Sequence, residues 1–148
     1  MIRAVIALAA LTLGAGVVLA QQDAAAQRQA LMKANGKNVY GVLGRMVKGT
    51  NPYDQAAVDG ALNQLDDTAK KLPGLFPDGN KASVSGSEFS TSPKAWDNKA
   101  DLNAHVQKFG AAVIQAKAKV KDLDSLKAEY PAINATCNSC HEVYRVKN

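Results

Sequence analysis

Two thiols and an imidazole, close together near the carboxyl end, carry the clearest chemistry in this chain: Cys137-Asn138-Ser139-Cys140-His141. Thiols three residues apart lie near one face of a helical turn. Each can form a thioether with one vinyl group of a single porphyrin, and the adjacent imidazole is then placed to bind its iron. Cys-x-x-Cys-His is the attachment signature of c-type haem. Two cysteines at this spacing also suit a redox dithiol or another metal site, but a thioredoxin-like dithiol belongs near a βαβ unit. Here the pair lies inside a helical pattern and a histidine follows it, which favours haem.

The elements that must hold this motif read as all-α. Alanine is plentiful, β-branched runs are scarce, and no stretch alternates like a strand. The period predicts a first helix over 23–47, with Asp23 as cap and Gly49 as stop. Its stripe of Ala25, Met32, Val39, Val42 and Met46 also contains polar Arg28 and Asn35, which need a reason to face inward. A second helix is expected over 53–72, capped by Asn51 with Pro52 in its first turn, on the seam Val58, Leu62, Leu65, Ala69, Leu72. Residues 73–94 read as a long loop anchored by Leu75, Phe76 and Phe89. A third helix over 94–120, capped by Ser92, carries Leu102, Val106, Phe109, Val113, Ala116 and Val120. A fourth, from Asp122 or Asp124 to Val146, places Leu126, Tyr130, Ile133, Cys137, Cys140 and Tyr144 on one seam, interrupted by Pro131. Four such helices predict an antiparallel up-down four-helix bundle with covalently bound haem c.

Residues 1–20 read as a cleaved secretory signal: Arg3, then an apolar run from Ala4 to Leu19, then Ala20 before polar Gln21-Gln22. The run is somewhat short for a membrane span of about 20 residues. Cleavage would leave 21–148 as one exported, periplasmic domain with no membrane attachment. Both cysteines sit in the motif, so no disulfide framework is available. The formal charge of +5 is a modest basic excess. Read from composition, it is spread along the chain, favours acidic partners weakly and carries no nucleic-acid signature.

The second axial position decides the function. First and fourth helices run side by side in this topology. At about 1.5 Å per residue, Met32 and His141 both sit roughly 10–14 Å from the same end of the bundle. Met46 lies about 21 Å further along and is out of reach. His105 flanks the seam of the third helix, a place that suits a solvated or haem-shielding role better than ligation.

By its residues the chain resembles the class II cytochromes c, the family of cytochrome c′ and cytochrome c-556. The likeness covers 21–148 and rests on Arg28-Gln29-Ala30-Leu31-Met32-Lys33, Pro52-Tyr53-Asp54, Leu72-Pro73-Gly74-Leu75-Phe76-Pro77, Trp96 and Cys137-x-x-Cys-His141-x-x-Tyr144-Arg145. The resemblance implies one covalent haem c and no enzymatic activity. In c-556-like members a first-helix methionine, here Met32, is the second ligand of a low-spin electron carrier. In c′-like members that side is open, and the iron is high-spin and binds NO or CO, with Met32 only lining the pocket. Arg28 and Arg145 are candidate propionate contacts. A redox partner, acidic if Lys33 and Lys37 steer it, and a homodimer through the first two helices, as in many relatives, complete the expectations.

Overall fold

The computed structural model describes residues 23–78, 81 and 87–148; the expected signal segment lies outside them. Four long helices form the bundle. The first, α1, runs over residues 23–47. It is α-helical to Gly36, turns to π geometry over Lys37–Leu43 and returns to α-helix over Gly44–Val47. Gly49 closes it at φ +73°, a left-handed conformation that glycine adopts without cost, and its N–H reaches Met46 O at 3.0 Å.

Helix α2 spans Gln55–Lys71 and continues as a 3₁₀ turn over Leu72–Leu75. Its cap is Asp54, not Asn51: Asp54 is extended, and its carboxylate accepts from the Ala57 N–H at 3.1 Å. The expected third helix is broken once. A single turn, Lys94–Asp97, precedes α3, Lys99–Lys119. Asn98 leaves helical geometry between them, and its side chain caps α3 by accepting from the Asp101 N–H. Helix α4 covers Leu123–Tyr144 with Pro131 inside it. Asp122 and Ser125 form a reciprocal capping box at its start.

The helix expected to reach Val146 stops at Tyr144. Residues Arg145–Lys147 form a strand, β2, antiparallel to β1, Phe89–Thr91, with Phe89 opposite Lys147 and Thr91 opposite Arg145. This short two-stranded ribbon is an addition to the expected all-α bundle. It ties the long loop to the end of the motif-bearing helix.

Short turns at 48–54 and 120–122 join α1 to α2 and α3 to α4, so those neighbours run in opposite directions. The main core joins Val39 and Leu43 of α1, Val58, Leu62 and Leu65 of α2, Phe109 and Val113 of α3, and Leu126 and Ile133 of α4. Leu43, Leu62, Leu65, Leu126 and Ile133 are fully buried, and burying each contributes about 1.5–3 kcal/mol. A second cluster, Leu72, Phe76, Ala95, Leu102, Val106 and Tyr144, packs against Met32 and Cys140. Cys137 borders the main core, so the two motif thiols stand where the clusters meet. Among the described residues no helix is long and apolar enough to cross a membrane.

Candidate haem site

Between these clusters lies a cavity of ≈ 590 Å³, within the range of about 300–1,000 Å³ usual for small-molecule and cofactor sites. Four regions line it. Helix α1 contributes Arg28, Met32, Lys33, Asn35, Val39 and Tyr40. Leu72 and Phe76 come from the turn after α2, and Leu102, His105, Val106 and Phe109 from α3. Helix α4 supplies Thr136, Cys137, Cys140, His141 and Tyr144. Residues 87–91 close the side that the helices leave open. Gln29 Nε2 donates to Ser87 Oγ at 2.8 Å, and Asn148 N donates to Glu88 O at 3.0 Å, which hold that segment to α1 and to the C-terminus.

Both motif cysteines and His141 line this space. Cys137 and Cys140 are partly exposed and form no disulfide. Burial pushes the Cys137 thiol up, and burial with Cys137 and Asp101 nearby pushes Cys140 up to about 11. Both are therefore held as neutral thiols. Burial, helped by the positive charge of Arg145, lowers the His141 pKa and keeps its imidazole neutral, the form whose nitrogen lone pair binds a metal. Met32, half-buried on α1, lines the same cavity as His141 on α4. Met46 is buried in the main core and takes no part in the lining.

This donor set fits a porphyrin rather than a bare ion. Among the described residues no group of three or more His, Cys, Asp or Glu side chains gathers to chelate a metal. An apolar cavity with two thiols and an imidazole from one helix and a thioether from another is what a thioether-linked haem requires.

The two arginines line the cavity, each braced by aromatic rings. The Arg28 guanidinium lies 5.1 Å from the ring centres of both Phe76 and Trp96, and Nη1 donates to Leu75 O at 2.5 Å. Trp96 and Phe76 meet edge to face at 5.6 Å, and the indole N–H donates to Pro77 O at 3.0 Å. Arg145 lies over the Phe89 ring at 4.5 Å. Desolvation lowers the Arg28 pKa, but a guanidinium stays charged under ordinary conditions.

His105 also lines the cavity, on α3. Its ring packs edge to face on Tyr144 at 5.7 Å, and Nε2 lies 3.6 Å from Asp101 Oδ2. The second polar position on the α1 stripe, Asn35, has a structural partner that the sequence alone does not name. Its Oδ1 accepts from Thr68 Oγ1 at 2.9 Å and Gln64 Nε2 at 3.2 Å, while Asn38 Nδ2 donates to Gln64 Oε1 at 2.9 Å. These bonds satisfy buried polar groups across the α1–α2 seam. The one available signal was the polar pair Gln64 and Thr68 at i, i+4 on an otherwise apolar face.

Residues 23–145 match the family model described as Cytochrome C'. The chain is 49% identical to cytochrome c-556 of Rhodopseudomonas palustris, over 99% of each chain. A solved structure of oxidised cytochrome c556 from R. palustris superposes with a TM-score of 0.74 at 47% identity, covering 86% of this chain and 98% of that one. Cytochrome c′ from the same organism superposes at 0.76 with 36% identity, covering 85% and 98%. The family's members are electron carriers, not enzymes, and the family implies covalent haem c. With its four-helix bundle and cavity-facing Cys-x-x-Cys-His motif, this chain belongs to the cytochrome c′ family.

Proposed function

We propose that this is a low-spin electron-transfer cytochrome of the c-556 kind, with one haem c held by thioethers from Cys137 and Cys140 and its iron between His141 and Met32. The observation that carries the reading is that Met32 and His141 line one cavity from two different helices, α1 and α4. When bound, the haem supplies a one-electron Fe(III)/Fe(II) couple, and methionine ligation raises its potential.

The chain's own residues do the rest. Burial and Arg145 hold His141 neutral, so its nitrogen is available across the neutral range. The apolar walls, Leu72, Phe76, Leu102, Val106 and Phe109, keep water from the metal. Packing of Met32 against that cluster limits the reach of its thioether. With His141 and Met32 both carried on packed helices, a haem held by the two would exchange an electron with little rearrangement of the chain, and no substrate would have to enter. Arg28 and Arg145 line the cavity as cations suited to the propionates. The expected export fits a family whose members are typically periplasmic.

The packing of Met32 in the apolar cluster is also what a five-coordinate, NO- or CO-binding protein would need, with that side chain as wall rather than ligand. Changing Met32→Ala separates the two. The first reading expects a low-spin ferric spectrum that turns high-spin; an unchanged spectrum would exclude Met32 as a ligand.

A further inference from the structure

The charges of this chain are divided unevenly. Residues 23–53, which are α1 and the turn after it, hold five cations, Arg28, Lys33, Lys37, Arg45 and Lys48, and one acidic residue, Asp23 at the amino end. Residues 54–148 hold twelve Lys and Arg against twelve Asp and Glu. The basic excess that composition seemed to spread along the chain therefore belongs to one helix. Arg28 is buried; the other four are exposed. Elsewhere five of the lysines are neutralised locally: Lys70 and Lys117 on Asp66, Lys71 on Asp67, Lys99 on Asp78, Lys119 on Glu129. Among the described residues the salt bridges include none from Lys33, Lys37, Arg45 or Lys48.

Two side chains connect this cationic edge to the haem cavity. Lys33 and Tyr40 both line the cavity and are both exposed, Tyr40 to 55%. They stand at its mouth, which exposed Glu88 also lines. A Cβ added at Gly36 or Gly41 would meet nothing within 4 Å, so the α1 surface beside Tyr40 is open. An exposed aromatic ring set among unpaired cations has the makings of a transient docking site. The ring offers contact area, and the cations steer encounter. From Lys33 to Lys48 the strip runs about 22 Å, a length suited to the small interfaces of redox encounters, under about 1,200 Å².

We propose that the exposed edge of α1, formed by Lys33, Lys37, Tyr40, Arg45 and Lys48, is the docking surface for an acidic redox protein. This rests on the electron-transfer reading above. One electron would leave the partner's reduced centre and reach a ferric haem held in the cavity that Tyr40 lines; no bond would form or break and no proton would move. A second copy of the chain suits this edge poorly, because a two-fold contact would set the four cations against the same four.

The test is stopped-flow reduction of the ferric holoprotein by a reduced acidic flavodoxin across a range of ionic strengths. The rate should fall steeply with added salt. The triple variant Lys37→Gln, Arg45→Gln, Lys48→Gln should lower the low-salt rate about tenfold and flatten its salt dependence. Lys33 is left in place because it borders the cavity. The triple variant Lys108→Gln, Lys121→Gln, Lys127→Gln makes the same charge change in the balanced region and should lower the rate about threefold or less. Equal losses in the two variants, or a rate indifferent to salt, would overturn the proposal. So would a dimer in sedimentation equilibrium that only the α1 variant disperses. A low-spin protein that fails these comparisons refutes the docking surface alone, whereas a high-spin ferric spectrum refutes the ligand reading and leaves the rate comparison valid.

Discussion

The Tyr144 hydroxyl donates to Asp101 Oδ2 at 2.5 Å, joining the last turn of the motif-bearing helix to the first turn of α3. Tyr144 is buried and lines the cavity beside Cys140 and His141. Its backbone carbonyl also accepts from the Ser92 N–H at 2.9 Å, where the loop returns to the bundle. One residue therefore fixes three pieces of chain around the haem wall.

Replacing Tyr144→Phe should cost about 1–3 kcal/mol, the usual loss for a hydrogen bond to a charged group. Urea unfolding reads it directly, and a double-mutant cycle with Asp101→Asn should show coupling between the two positions. Burial, then the bond to Asp101 and its charge, push the Tyr144 pKa up to about 12. The folded value is raised above the ordinary tyrosine value near 10. The contribution of the neutral phenol is therefore complete below about pH 10 and is lost as pH rises through about 12. Wild type and Tyr144→Phe should differ in stability at pH 8 and converge in strong alkali.

Acid acts at a different seam. Asp66 accepts from Lys117 of α3 at 2.8 Å and from Lys70 of its own helix at 2.9 Å. Those bonds, Lys117 first, hold its carboxyl below the usual carboxylate range. A depressed value means the contribution is present above the ordinary pKa near 4 and lost as pH falls through the lowered one. Asp66→Asn should destabilise by about 1 kcal/mol at pH 7. The deficit should shrink in denaturant curves as acid is added, and a constant deficit would contradict the pairing.

Two glycines should respond in opposite senses to alanine. A Cβ at Gly44 would lie 2.9 Å from the Tyr130 hydroxyl, where α1 and α4 approach closely, and 3.0 Å from Val39 O of the π turn in its own helix. Gly44→Ala should destabilise by about 1–3 kcal/mol, and adding Tyr130→Phe should restore only part, since the backbone oxygen remains. Gly60, within α2, has nothing within 4 Å of such a Cβ. Gly60→Ala should stabilise by about 0.5–1 kcal/mol through helix propensity. Thermal melts of the two variants check both signs.

The helices and the site wall were legible in the sequence because both follow from local periodicity. The seam through Tyr130, Ile133, Cys137, Cys140 and Tyr144 repeats at three and four, so it already turned the motif toward the bundle interior. The features that escaped depend on partners far along the chain or on competing local caps. The strands of the ribbon have three residues each, too few to alternate, and Phe89 pairs with Lys147 across 58 positions. The break at Asn98 comes from a side chain that bonds its neighbour's backbone inside an otherwise unbroken helical pattern. The sequence points to Asn51 as the cap of α2, but the backbone is extended at Asp54 and the helix begins after it. The π segment Lys37–Leu43 leaves no mark on the apolar period. Asn35 was recognisably out of place on its stripe, but Thr68 could be named as its partner only once α1 and α2 were side by side.

Near-infrared absorption of the ferric holoprotein tests the assignment most directly. A thioether bound to low-spin ferric haem gives a weak charge-transfer band there. The native protein should show that band, with no high-spin features at neutral pH and no prompt change on adding CO to the reduced form. A high-spin ferric spectrum without the band, together with rapid CO binding, would show that the Met32 sulfur is only part of the wall.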